Sequence, residues 1–404
     1  MDIKAYFQGR EIPKEGVVVD ATHPIEIEVR GYGQNKVYSI ETLRYTDVPS
    51  DQGQVLPKST DMHKMGIDPY IANYSVGVLG DQFYLFGTGV SGEVAEYKVY
   101  TSHNGVKWSE VSYAPESIQA IGGVGTRCVT FRERLYLLGG ARTQAKDRWG
   151  NPPETMWGSF PTIEFWRSVS TSDGSTYRVD TVGVDAPFVN SWGTLSNANL
   201  PTPCVIPNVV VFGDNMYMKN SHGIIYGQAQ GSRDYRVTKD GTNWLKLQAD
   251  PKATQRLLDV FFVLKGKMFT VGGFNNFISE ENILGDIYSS EDGVKWTKEA
   301  EEGGFGKMWG MTVISNGSVA YMVGGEYLKD GQRVLSDKIY RTEDGIRWKP
   351  INTGDRYKAG SLPQLVIRGE VVYIFGGYGE PGTAPYGFDL NQAQLFDTYS
   401  FELK

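Results

Sequence analysis

Two stretches of this 404-residue chain combine flat aromatic rings with charged and amide side chains. The first begins Arg142-Thr143-Gln144-Ala145-Lys146-Asp147-Arg148-Trp149 and continues through Trp157, Phe160, Phe165 and Trp166. The second carries Phe188, Asn190 and Trp192. An apolar ring face covers a pyranose ring while Arg, Asp and Asn bond its hydroxyls. Arg148, Trp149, Trp157, Trp166 and Trp192 are therefore candidate ligand-binding residues. The same rings would equally serve as a satellite core that holds the two stretches together. Lys219, Asn220 and His222 add polar groups in a segment of their own, and Phe274, Trp309, Tyr327 and Tyr378 add rings in later segments.

Signals for catalysis are weak. His23, His63, His103 and His222 show no metal-ligand spacing, so no metal site and no cofactor are expected. No nucleophile elbow, P-loop or dinucleotide-binding glycine pattern occurs in a credible context. Carboxylates for glycosidic cleavage exist at Asp147, Glu154, Glu164, Glu280 and Glu281, but nothing in their spacing marks a pair. Arg142, Arg148, Arg167, Arg256 and Arg356 likewise form no recognisable triad, and no catalytic residue is assigned.

These residues are positioned by a repeat. Short strands carry aligned rings at Tyr84, Tyr136, Tyr217, Phe269, Tyr321 and Tyr373, with intervals of 52, 81, 52, 52 and 52 residues. A second motif keeps the same interval: Asn104-Gly105, Asp173-Gly174, Asp240-Gly241, Asp292-Gly293 and Asp344-Gly345, each with a ring four residues after the Asn or Asp. A fixed period near 50 with a β pattern predicts a β-propeller, here all-β with six blades. Each repeat reads as four strands, a to d, with a tight a-to-b turn and an Asp-Gly c-to-d connection. The Asp-Gly pair predicts a two-residue hairpin with φ > 0 at both central residues, and places the following ring in the returning strand.

Both short turns then fall on one face, and the b-to-c and d-to-a loops on the other. The long interval exceeds the others by 29 residues. Tyr136 to Asp173 spans 37 residues against 23 in later repeats, and Asp173 to Tyr217 spans 44 against 29. Both insertions, with their rings, belong to the loop face, where binding usually resides on rigid scaffolds. The third repeat also departs there: Lys219-Asn220-Ser221 stands where the fifth has Val323-Gly324-Gly325. That departure is read either as polar lining of a pocket or as drift at a tolerant turn.

The endings Leu137-Leu138-Gly139-Gly140, Thr270-Val271-Gly272-Gly273, Met322-Val323-Gly324-Gly325 and Ile374-Phe375-Gly376-Gly377 resemble kelch repeats over roughly residues 70 to 404. The Ser-x-Asp-Gly-x-x-Trp segments also resemble the Asp boxes of sialidases, one residue shorter between Asp and Trp. The combination is similar to kelch-type surface lipoproteins of gut Bacteroides-like bacteria. That resemblance implies an exported protein of the outer-membrane surface or periplasm, held at a membrane only through a lipid anchor absent from this chain.

Composition fits that reading. Formal net charge is −7, and the scattered lysines argue against nucleic acid as a partner. No apolar run is long enough for a membrane-spanning helix, and Met1-Asp2-Ile3-Lys4 opens no signal core. Cys128 and Cys204 sit at offsets too far apart for a disulfide and are expected as free thiols. Residues 1–60 read as a β-rich segment of four short strands, Ala5 to Arg10, Gly16 to Asp20, Ile25 to Arg30 and Val37 to Tyr45, and 61–404 as the propeller. A piece of 36–62 is expected to supply the missing fourth strand of the last blade. The functional expectation is a non-catalytic, monomeric envelope protein that binds glycan or protein on the loop face. The alternative is a glycan-active hydrolase using the same face.

Overall fold

In the computed structural model the described residues are 2–13, 25–31, 34–40, 60–61, 66–67, 71–91, 94–111, 126–139, 142–143, 161–162, 167–182, 201, 204, 206–219, 223–225, 228–230, 235–275, 277–351, 353, 357–379 and 394–402. The chain divides into two compact units, Met1–Pro49 and Ser50–Lys404. In the first, strands pair antiparallel in the order Arg10–Glu11, Asp2–Phe7, Ile25–Gly31, Gln34–Ile40. The run expected as one strand from Ala5 to Arg10 is broken by a turn at Gln8 and Gly9, with φ of 47° and 76°. The strand expected at Gly16 to Asp20 lies outside the described residues.

Among its described residues, the second unit is all-β apart from one helical turn, Pro251–Thr254. It contains six four-stranded antiparallel sheets, each built from strands a to d. Sheet 1 is Ile71–Leu79, Gln82–Ser91, Val94–Ser102 and Ser109–Glu110. Sheet 2 is Arg127–Phe131, Arg134–Leu138, Arg167–Thr171 and Tyr177–Val182. Sheet 3 is Asn208–Phe212, Asn215–Lys219, Tyr235–Thr238 and Leu245–Lys246. Sheet 4 is Val260–Leu264, Lys267–Val271, Ile287–Ser290 and Thr297–Ala300, and sheet 5 is Thr312–Ser315, Ala320–Val323, Ile339–Thr342 and Lys349–Pro350. Sheet 6 takes Gln364–Arg368, Val371–Tyr378 and Gln394–Glu402, and is completed by Thr60–Asp61, which pairs with Thr398 and Asp397.

Each a strand contacts the a strand of the next sheet, and Gln364–Arg368 contacts Ile71–Leu79. The b strands are covered on both faces, so Met268–Val271 and Ala320–Val323 are buried at every position. This is why they read as continuous apolar runs. The d strands Ser109–Glu110, Leu245–Lys246 and Lys349–Pro350 are exposed.

The two repeated motifs interlock between neighbouring sheets. A Cβ added at Gly241 of sheet 3 would lie 2.4 Å from the Tyr136 ring of sheet 2. The same ring-on-glycine contact joins Tyr84 to Gly174, Tyr217 to Gly293, Phe269 to Gly345, and Tyr373 of sheet 6 to Gly105 of sheet 1. Tyr321 of sheet 5 instead meets Phe401 of sheet 6, with ring centroids 4.9 Å apart. Ring and glycine share one spacing because five of the six rings need a partner without a side chain on the next sheet.

The c-to-d connections are not the two-residue hairpins expected from Asp-Gly. Thr101 pairs with Ser109 and Arg341 with Lys349, leaving seven-residue loops. Only the glycine of each Asp-Gly or Asn-Gly pair takes positive φ. A Ser or Thr hydroxyl at the end of strand c accepts from the glycine N–H at 2.8–3.0 Å. The Asp or Asn Oδ1 accepts the next two backbone N–H groups at 2.7–2.9 Å. Side-chain acceptors have replaced the backbone pairing that a tight hairpin would use. Trp108, Trp244 and Trp348 close these loops as buried residues just before strand d. Positive φ at both central residues occurs instead at a-to-b turns, at Arg132 and Glu133 (48° and 57°) and at Lys265 and Gly266 (48° and 73°).

Candidate functional site

The b-to-c connections all leave from one end of the sheets, opposite the Asp-Gly turns. Sheet 1 continues as a hairpin whose pairing runs out to Ser91 and Val94. Separate two-stranded pairs occupy the same connection in sheet 2 (Arg142–Thr143 with Pro161–Thr162), sheet 3 (Gly223–Ile225 with Gln228–Gln230) and sheet 5 (Glu326–Lys329 with Gln332–Leu335). Sheet 6 extends its pairing to Tyr378 and Gln394. In sheet 4 the connection is a compact loop in which Phe274 bridges both Leu257 and Ile283.

Of the residues singled out in the sequence, Arg148, Trp149, Trp157, Trp166, Trp192, Asn220 and His222 lie outside the described residues. The other five are placed. Phe274 and Trp309 are fully buried, 6.4 Å apart and nearly perpendicular, in a cluster with Leu257, Leu258, Ile283 and Leu362. Tyr378 packs at the edge of that cluster, and Tyr327 packs on the core between sheets 4 and 5. Phe274 and Trp309 are thus interior, while Tyr327 and Tyr378 are half-buried. The neighbouring Phe277 presents its ring outward, 66% exposed.

Lys219 is buried between sheets 3 and 4. Its ammonium donates to the Asp259 carboxylate, to Thr270 Oγ1 at 2.6 Å and to Ala253 O at 3.5 Å, and lies 4.8 Å from the Phe261 ring centre. Thr270 Oγ1 also bonds the Asp259 carboxylate, while Asn208 Nδ2 donates to Asp259 Oδ1 at 3.0 Å and its carbonyl at 2.8 Å. Burial pushes the lysine below its ordinary value, and Asp259 opposes that push. Equivalent b-strand positions hold Phe86, Leu138, Val271, Val323 and Phe375. The polar exception is therefore a satisfied interior network. Arg256, another loop-face cation, is bound in the same manner, donating to Asp286 Oδ1 at 2.7 Å, Gly272 O at 3.2 Å and Lys252 O at 2.6 Å.

The six a strands surround a cavity of about 140 Å³ lined by residues of every sheet, among them Val76, Arg127, Asn208, Asp259, Thr312 and Gln364. Ser75, Arg127, Asn208, Val260, Thr312 and Gln364 occupy one register, each paired with the b-strand residue two beyond the aligned ring. Five of those six residues are polar. Arg127, Asn208, Thr312 and Gln364 begin their strands, so this polar ring lies toward the loop face.

Just before it, Ile206, Leu258, Gly310 and Leu362 recur every 52 residues, all with positive φ (49°, 49°, 68° and 52°). A β-branched residue in that conformation is a real outlier, and such strain persists only when the surroundings impose it. Gly310 N–H donates to Leu258 O at 2.9 Å and Leu362 N–H to Gly310 O at 2.7 Å, linking sheets 4, 5 and 6 around the cavity. Sequence reasoning missed this collar and the polar ring, although both keep the repeat's own spacing. Among the described residues, no group of three or more His, Cys, Asp or Glu is placed to hold a metal, and no helix is long and apolar enough to cross a membrane. Cys128 and Cys204 are not joined by a disulfide. Compared with protein-family models and with curated proteins, the chain matches none.

Proposed function

We propose that the second unit is a six-bladed β-propeller of kelch type and that it works as a non-catalytic binding module. Its ligand, a glycan or a protein, docks on the face that carries the b-to-c connections. The ring reading is supported by the cycle of a-strand contacts and by the Tyr373 ring on Gly105, which joins the last sheet to the first. The observation that carries the binding reading is the set of b-to-c hairpins in sheets 1, 2, 3, 5 and 6, all rising from one end of a rigid scaffold. A cell-envelope location rests on the resemblance of the Gly-Gly endings to kelch-type surface proteins.

A glycan array followed by incubation of retained glycans with the protein tests this. A glycan that is held and recovered intact supports the binding module. Release of cleaved product replaces it with the glycan-active hydrolase. Silence across the array moves the ligand to the protein class, to be sought by crosslinking on intact envelopes. Phe277→Ala should weaken capture of any retained ligand about tenfold with an unchanged melting temperature, as expected for an exposed ring at an interface.

A further inference from the structure

Arg127 is the charged member of the polar ring, and among the described residues no carboxylate pairs with it. Its described interactions comprise a single hydrogen bond, from Nη1 to Gln364 Oε1 at 3.3 Å. A guanidinium carries five N–H donors and does not shed its proton in a protein, so neutralisation by proton loss is closed to it. The other charges at the cavity are already matched, because the Asp259 carboxylate is bound by Lys219, Thr270 and Asn208. The Cys128 thiol beside Arg127 is pushed up to about 12 by burial and stays neutral. Burial pushes the guanidinium itself below its ordinary value. Arg127 is half-buried, and a charge drawn partly out of water without a counter-charge costs stability.

Two further groups face the same space with bonding capacity unused. Thr312 Oγ1 is buried without a hydrogen-bond partner. Gln364 spends its Oε1 on Arg127, which leaves its amide N–H groups for another acceptor. A cavity of about 140 Å³ compares with roughly 30 Å³ per molecule of liquid water, so it has room for an anion of four or five heavy atoms.

We propose that this central cavity binds one small oxyanion, a carboxylate or a phosphate, held by the Arg127 guanidinium with the Gln364 amide and the Thr312 hydroxyl as further donors. The site is separate from the hairpin surface and does not depend on what docks there. The anion supplies the missing counter-charge at the centre, where the a strands of all six sheets meet. Its occupancy therefore reports on the packing of every sheet.

The test is thermal unfolding of the full chain at fixed ionic strength and pH 7, in sodium acetate, sodium phosphate, or the sodium salt of a bulky sulfonate too large for the cavity. The wild type should melt about 3–5 °C higher in acetate or phosphate than in sulfonate. Which of the two acts identifies the anion. Arg127→Met, similar in length and uncharged, should lose that difference and melt above the wild type in sulfonate. A wild type indifferent to the anion overturns the proposal, as does an Arg127→Met variant that keeps the difference or melts lower in sulfonate. Should that variant not fold, calorimetric titration with phosphate and acetate decides. The wild type should bind one equivalent of one of them and Thr312→Val at least about threefold more weakly, and absence of wild-type binding to both ends the idea.

Discussion

At the turn face, five loops repeat one set of hydrogen bonds, and their glycines receive rings from the preceding sheet in the same geometry each time. At the loop face the described b-to-c connections vary from an extended hairpin to a compact loop, and the interior beneath them holds charges that occur in single copies: Lys219 with Asp259, Arg256 with Asp286, and Arg127. The uniform face maintains the spacing between sheets, so any departure would disturb two sheets at once. The varied face tolerates change in its b-to-c connections because each of those returns to its own sheet.

The largest expected effect lies beneath the loop face. Lys219→Leu strands the Asp259 carboxylate and should cost about 3–5 kcal/mol in urea unfolding. The Lys219→Leu, Asp259→Asn double variant should recover most of that loss, since equivalent positions are apolar. A single variant within about 1 kcal/mol of wild type would mean that the pair is no structural exception.

Next comes the interlock of the turn face. Gly241→Ala forces a methyl group to 2.4 Å from Tyr136 at φ +77° and should cost about 2–3 kcal/mol. Gly213→Ala, at φ +57° with nothing near the added carbon, should cost only about 1 kcal/mol. Equal losses would remove the ring contact as the reason for the shared spacing.

Acid separates the faces again. Asp173 and Asp292 are held below their ordinary value of 3.8, chiefly by the backbone N–H groups of Thr176 and Lys295. At Asp240 and Asp344 burial acts in the opposite direction and is outweighed by bonds from Asn243 and Arg347. A folded-state value below the unfolded one gives stability that is complete above about pH 4 and is lost as pH falls through the lowered values. Replacing all four with Asn, the residue already present at Asn104, should flatten the fall in melting temperature between pH 5 and pH 2.5, read by circular dichroism. An unchanged fall assigns acid sensitivity to the loop face.

The smallest effect is a gain. Glu133 lies in a two-residue a-to-b turn at φ 57°, a conformation that glycine takes freely, so Glu133→Gly should stabilise by about 1 kcal/mol. No gain would show that the turn's side chains contribute more than its backbone loses.

Strand positions were legible because the aligned rings mark b strands covered on both faces, and the second and fifth sheets fall where the spacing puts them. The Asp-Gly segments misled because the dipeptide itself cannot reveal that a Ser or Thr two residues earlier and the Asp side chain would take over the turn's hydrogen bonds. Phe274, Trp309, Tyr327 and Tyr378 were legible as loop-face rings, but a one-dimensional pattern does not distinguish a ring turned outward from one packed inward. Lys219 was visible as an exception. Its partner Asp259, 40 residues on, also occupies a row that holds Tyr74, Thr126, Pro207, Met311 and Pro363 elsewhere, so two charged exceptions of opposite sign in adjacent repeats were a usable signal.

The sequence by itself determined the repeat, the strands that keep its spacing, and the division into a uniform and a varied face, because those follow from local periodicity and the placement of glycine. Tertiary structure decided which charges are matched. Lys219 meets Asp259 across neighbouring sheets, and among the described residues Arg127 meets Gln364 across the central cavity, because the fold brings together residues 40 and 237 positions apart. Whether a buried cation is satisfied depends on those long-range neighbours and not on its own segment.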